Sequence, residues 1–181
     1  SLLTTCFAIA GVSAWYLLKG RHLDIAKPCF SFVLGAAVLI APMQVFLGDI
    51  VGLKIYEYQP LKTAAIEGNW RTQKGAPLIL FAIPNSQQEK NYYEISIPKL
   101  ASLINTHHWD GKLLGLKSVP PSERPVVGAT FWMFRVMVGI GFLFLFVALF
   151  ALWRNWRGQL YSSNRFYRLC ILIAPLGFLS T

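Results

Sequence analysis

The run from Thr130 to Trp153, "TFWMFRVMVGIGFLFLFVALFALW", constrains this chain more than any other feature, because Arg135 and the flanking polar Thr130 are all that interrupt it. A helix needs ~20 mostly apolar residues to cross the hydrocarbon core of a bilayer, so this run predicts a spanning helix over 130–153. A second run, "CFSFVLGAAVLIAPMQVFL", predicts another over 29–47, with Pro42 late in it. Residues 1–18 and 166–181 are apolar in the same way but shorter, and both read as truncated spans. The expected fold class is therefore an all-α integral membrane protein with four transmembrane helices. With the first and last cut short, the chain reads as an internal stretch of a larger membrane protein.

Charge supports that assignment. Only 14% of residues are charged and the mean hydropathy is +0.47, against about 25% charged residues in a soluble domain. The net charge of +9 would suit nucleic acid if it were spread over one face. Instead Lys19, Arg21 and Lys27 crowd the first gap, and Arg154, Arg157, Arg165 and Arg168 surround the last one. Basic clusters beside apolar runs mark cytoplasmic loops, which places 19–28 and 154–165 inside and makes the bilayer, with no nucleic acid, the partner. The loop 48–129 then faces the extracytoplasmic side. The three cysteines, Cys6, Cys29 and Cys170, have neither metal-ligand nor redox spacing and read as packing residues.

The long loop is not a featureless linker. "LILFAIP" and "YYEISIP" predict extended segments closed by Pro84 and Pro98, "KLASLINT" a helical turn or two, and "SVPPSERP" a stiff approach to the third span. A small, partly ordered cap on the membrane is expected. Gly48-Asp49 predicts the end of the second span, with Asp49 capping or turning the chain.

Within the loop, "YQPLKTAAIEGNW" carries a helix start at Gln59-Pro60 and a stop at Gly68. Lys62 and Glu67 are five residues apart, about 140° around a helix, so they are not an i,i+4 surface pair. They read either as solvated charges of an amphipathic helix or as a headgroup site, with a lysine donor and a carboxylate acceptor. Arg135 either snorkels to the nearby interface or holds a functional partner. Met133 and Met137 share one helix face opposite Arg135 and would ordinarily be packing residues. "VGIGF" allows close approach of a helix or a macrocycle. His22, His107 and His108 lie outside the spans and read as surface residues.

Taken in order, "SAWYLLKGR", "GDIVG", "YQPLKTAAIEGNW" and "FWMFRVMVG" resemble subunit I of the cytochrome bd-type quinol oxidases, over essentially the whole chain. The resemblance implies that loop 48–129 is the quinol-binding Q-loop. Its K-x-A-A-x-E pattern falls on Lys62 and Glu67, which would bind and deprotonate ubiquinol or menaquinol. The family's R-x-M pattern falls on Arg135 and Met137, making Met137 an axial ligand of the low-spin haem b iron and leaving Arg135 near haem or quinol. The histidine opposite that methionine is expected a few residues before Ser1. A high-spin haem b and haem d, or a further haem b, would belong to the complete subunit. So would subunit II and, in some members, a small single-span subunit. The short run between "LLGLK" and "RPVVG" resembles the short-loop, cyanide-insensitive branch. The implied setting is the bacterial cytoplasmic (inner) membrane, and the implied activity is a respiratory quinol:oxygen oxidoreduction that generates a proton-motive force. Two rivals from other classes stay open at this level. One is a transporter segment with Arg135 at an anion site, which calls for a broken helix; the other is a membrane anchor whose loop binds a partner.

Overall fold

A computed structural model describes residues 2–179; Ser1, Ser180 and Thr181, at the outer edges of the first and last expected spans, lie outside the described residues. The chain forms two compact units, one comprising Ser1–Val45 and Met137–Thr181 and the other Phe46–Val136.

The first unit is helical. It contains α1 (Leu2–Lys19), the beginning of α2 (Leu23–Tyr58), most of α5 (Val127–Trp156), α6 (Asn164–Ile173) and the short α7 (Leu176–Leu179). Helices packed in a membrane gain little from hydrophobic expulsion, so close contact through small residues matters most. Gly11 on α1 shows this: a Cβ there would lie 2.5 Å from the Ala174 Cβ, beyond the end of α6. Aromatic rings fill the wider gaps. Phe7 stacks on Phe144 with centroids 4.2 Å apart, and Phe30 meets Tyr167 edge-on at 5.5 Å.

Among the described residues three helices, within Leu2–Lys19, Leu23–Tyr58 and Pro121–Trp156, are long and apolar enough to cross a membrane. The expected fourth span is not continuous among the described residues. Ser163 caps α6 by accepting the Phe166 N–H, but the helix stops at Ile173 and only α7 follows Pro175. Proline has no N–H to continue the ladder and its ring crowds the preceding turn.

The second span also departs from expectation, in the other direction. α2 does not end at Gly48-Asp49 but continues to Tyr58, passing through Pro28 and Pro42. A helical glycine costs only about 1 kcal/mol relative to alanine, and here the extension is held from the side. Asp49 Oδ2 lies 3.3 Å from His107 Nε2, and the Tyr56 hydroxyl donates to Lys112 O at 2.6 Å. The helix stops where Pro60 disfavours helical geometry at Gln59.

The second unit holds the end of α2 and the loop, which is ordered and mixed rather than helical alone. After α3 (Pro60–Glu67) come β1 (Gln73–Lys74), β2 (Leu78–Asn85), β3 (Lys90–Ile97), α4 (Leu100–Thr106) and β4 (Lys112–Leu113). β2 and β3 form an antiparallel hairpin, and β1 pairs with β4. The two segments expected to be extended are thus partners. Their turn is set by Asn85, whose Oδ1 accepts the N–H groups of Gln87 and Gln88 at 2.9 and 3.0 Å. The hairpin tip is fastened by Glu89, whose carboxylate takes Arg124 Nη1 at 2.6 Å and Lys117 Nζ at 3.1 Å. The apolar interior is small: Ala64, Ala65, Trp70, Leu116 and Val127 form one cluster, and Ile79, Ala82 and Phe131 another.

Candidate functional site

Helix α3 is largely covered, and Lys62 is its one exposed residue. Ala64 and Ala65 are small enough to pack flat against Trp70 and Leu116, while Lys62 stays exposed, with no side-chain partner among the described residues. Glu67, about 140° further round, is buried. The two residues are therefore not a contact pair, and the reading in which both are solvated charges fails for Glu67. Gly68 ends the helix in the left-handed region at φ 68°. A side chain at this position would also meet the fully buried Phe131 ring, since a Cβ would sit 2.9 Å from its Cε2.

Glu67 is held by residues from two other helices. Asn105 of α4 donates its amide Nδ2–H to Glu67 Oε1 at 3.2 Å. Arg135 of α5 brings Nη2 to 4.0 Å from Oε2, an ion pair too long for a direct hydrogen bond. Burial raises the Glu67 pKa above the ordinary glutamate value of 4.5, and the Asn105 hydrogen bond and the Arg135 charge oppose that rise. The outcome is a carboxyl that is easier to protonate than a surface glutamate.

Arg135 does not snorkel into open solvent. Its Nη1 donates to Ile66 O at 2.6 Å, its Nε to Ile79 O at 2.9 Å, and its Nη2 also reaches Ile79 O. Ile66 O is one of the last carbonyls of α3, which have no partner within their own helix, so Arg135 caps that helix from outside. The guanidinium also stacks over the Phe131 ring, 3.5 Å from its centroid. Four structural roles thus converge on a single side chain, in a helix that runs unbroken from Val127 to Trp156. The break that a transporter reading of Arg135 requires is absent there.

Met133 and Met137 are both exposed among the described residues, at 73% and 43%. Gly139 and Gly141 have open space where a Cβ would stand, with no packing contact there among the described residues. A soft thioether with an uncovered approach fits an axial haem ligand. No group of three or more histidine, cysteine or carboxylate side chains is placed to hold a metal ion among the described residues.

Sequence reasoning missed Asn105, Asn91 and Thr63. Asn91 accepts the Trp70 indole N–H at 2.8 Å and donates to Gly68 O at 3.0 Å, tying β3 to the end of α3. The Thr63 Oγ1, buried on α3, has no hydrogen-bond partner among the described residues. The available signal for Asn105 was the one amide in the short helical segment "LASLINT", since a buried amide has to find partners.

These features define a multi-pass membrane protein whose ordered loop presents a buried carboxylate backed by a guanidinium. The chain belongs to the cytochrome bd terminal oxidase subunit I family, whose model matches residues 1–181. It is 33% identical to the cytochrome bd ubiquinol oxidase subunit 1 of Bacillus subtilis, over 99% of this chain and 41% of that protein. It is 27% identical to the cytochrome bd-II ubiquinol oxidase subunit 1 of Escherichia coli, over 98% of this chain and 47% of that protein. Among solved structures, the bd oxidase from Geobacillus thermodenitrificans matches with a TM-score of 0.85 and 29% identity, covering 98% of this chain and 41% of that one. The chain thus spans less than half the length of these relatives. Neither the transporter nor the anchor reading is favoured by this membership.

Proposed function

We propose that the protein to which this chain contributes oxidises a membrane quinol and passes its electrons to dioxygen, with the oxidation site on the loop of 48–129. Its relatives include ubiquinol oxidase subunits and a putative menaquinol oxidase subunit of Bacillus subtilis, so the substrate class is a quinol of either kind. The observation that carries the reading is the buried Glu67 carboxylate, easier to protonate than usual, at the end of a helix whose Lys62 is unrestrained. Oxidation of a quinol releases two protons and two electrons. A proton acceptor must therefore stand beside the hydroxyl, and a cation or donor beside the other oxygen favours the anion that forms first. Glu67 is the fixed member, held on two sides, and Lys62 the one free to turn toward an arriving headgroup.

Met137 is the residue we assign to the low-spin haem b, whose iron its thioether would hold. When bound, the haem supplies the one-electron acceptor that a two-electron donor needs. A high-spin haem b and haem d, or a further haem b, together with subunit II, complete the oxidase elsewhere. The basic gaps at 19–28 and 154–165 favour a cytoplasmic placement for those loops and an extracytoplasmic one for 48–129, so quinol protons would leave on the outer side. The alignment with the Escherichia coli subunit extends over 245 positions, against 192 for the Bacillus subtilis subunit. This chain therefore lacks tens of residues that the former carries, which supports the short-loop branch.

The test is steady-state oxygen uptake by the full-length oxidase with a soluble quinol, for Lys62→Ala and Glu67→Ala, alongside haem spectra. Both variants should oxidise quinol slowly with haems intact. Normal turnover in both would reduce α3 to a surface helix.

A further inference from the structure

The geometry points to Asn105 as a positioning residue that holds the Glu67 carboxylate by one oxygen and leaves the other to take the quinol proton. This rests on the quinol-oxidation reading above.

The Asn105 amide has two N–H groups, and both are used. One donates to Ala101 O at 2.9 Å, four residues back in its own helix, and the other to Glu67 Oε1 at 3.2 Å. The first bond fixes the rotamer that makes the second possible. Helix α4 is in turn pinned to its surroundings. Ser102 Oγ accepts the Ala76 N–H at 2.7 Å and donates to Gly111 O at 2.8 Å. Lys99 Nζ meets Asp110 Oδ1 at 2.9 Å, and His107 meets Asp49. So short a helix would fray alone, and these tethers give its one inward amide a fixed place.

The two carboxylate oxygens are consequently unequal. Oε1 is occupied by a neutral donor that has no proton to exchange at ordinary pH. Oε2 faces Arg135 at 4.0 Å, beyond hydrogen-bond reach but close enough for charge attraction. It accepts no hydrogen bond from the described residues, and it is the oxygen this proposal assigns to the substrate hydroxyl. In the transfer, the quinol O–H bond breaks and an Oε2–H bond forms, so the carboxylate becomes a carboxylic acid. The quinol anion left behind then loses an electron to the one-electron acceptor of the proposed function. Among the described residues the charge that acts on Glu67 is Arg135 from α5; Lys62 on its own helix faces outward, α4 contributes the neutral amide, and β3 brings Glu94 to the helix end through Asn91, which donates to both Gly68 O and Glu94 Oε2. Asn105 therefore favours the ionised form without adding charge. Its loss leaves a carboxyl that binds its proton more tightly and no longer presents a defined oxygen.

The experiment is the pH dependence of kcat for the full-length oxidase with reduced decylubiquinone, with haem spectra as the control for assembly. Asn105→Ala should move the acid limb of the profile upward by about one pH unit, the tenfold gain in proton affinity expected for a lost hydrogen bond. The activity lost near neutrality should return as the pH is raised. Asn105→Asp, nearly isosteric, should move the limb further, because two facing carboxyls cannot both ionise cheaply. It decides the matter if the alanine variant does not assemble. An unmoved limb in an assembled variant would overturn the proposal and leave Asn105 as a helix-packing residue. Glu67→Gln in the same assay separates the two levels. If it is slow while the Asn105 variants keep the normal limb, only the present inference fails; if it turns over normally, the quinol-oxidation reading fails first.

Discussion

Replacing Arg135 by leucine removes the donors on which the loop site hangs. The Ile66 carbonyl, at the end of α3, and the Ile79 carbonyl, beside a register shift in β2, both lose charge-assisted hydrogen bonds. Phe131 O, 3.3 Å from Nη1, loses less, since it lies four residues before Arg135 and is an ordinary acceptor in the ladder of α5. An acceptor left unsatisfied in a buried place costs about 1–3 kcal/mol, and a buried carboxylate stripped of its cation adds to that. The Arg135 side chain is 14% exposed, so water can replace part of what is lost. A total of about 2–4 kcal/mol follows. At 1.4 kcal/mol per factor of ten, local opening of α3 and β2 should become roughly 30- to 1000-fold more frequent. Hydrogen exchange of the amides in 62–82, followed by mass spectrometry on the full-length oxidase in nanodiscs, reads this directly. Arg135→Lys keeps the charge but cannot span both carbonyls with one ammonium, and should fall between wild type and leucine. Exchange within threefold of wild type in the leucine variant would refute the reasoning, because the hydrogen bonds would then carry no load.

Met137→Leu should alter or abolish the low-spin haem b spectrum, whereas Met133→Leu should leave it as it is; equal effects from both would show that the helix needs only its packing. Arg124 and Lys117 hold the Glu89 carboxyl below the ordinary value of 4.5, so its contribution to holding the hairpin tip is present above that pH and is lost as pH falls through the depressed value. Proteolysis within Ser86–Glu89 should accordingly rise on acidification in wild type and already be high at pH 7 in Glu89→Gln; a cleavage rate independent of both changes would contradict the pairing. Thr63→Val removes a buried hydroxyl that has no partner among the described residues and should leave thermal stability unchanged or raised by up to about 1 kcal/mol. A clear loss of stability would mean that the hydroxyl does find a partner.

The spans were legible because hydropathy over 20 residues sums many small terms that all point one way. Their ends were less so. Gly48-Asp49 has local turn propensity, but the extension of α2 is fixed by Tyr56 and Asp49 reaching Lys112 O and His107, contacts from residues more than 50 positions away. The fourth span looked continuous because a sum over apolar residues gives no weight to the single missing N–H of Pro175. In the loop, the residue types of the hairpin and the Gly68 stop were readable, since β-branched runs, proline and glycine act locally. That Glu67 points inward was not: its spacing from Lys62 fixes an angle between two side chains but not which of them faces the protein. Arg135 was singled out by its cost inside an apolar run, although the backbone carbonyls to which it donates leave no mark in a sequence. Asn105 left even less, because an asparagine in a seven-residue helix is unremarkable until the carboxylate opposite it is known.

Proton transfer to Glu67 is tested most directly by turnover of the Glu67→Gln oxidase, measured as quinol-driven oxygen uptake with haem spectra and quinol affinity from the same preparation. Glutamine keeps the size and the acceptor oxygen facing Asn105 but cannot take a proton. The expected result is a fall in kcat of about a hundredfold, the weight of a positioned base, with normal haem spectra and a KM changed far less. Wild-type kcat in a fully haem-loaded Glu67→Gln enzyme would contradict it.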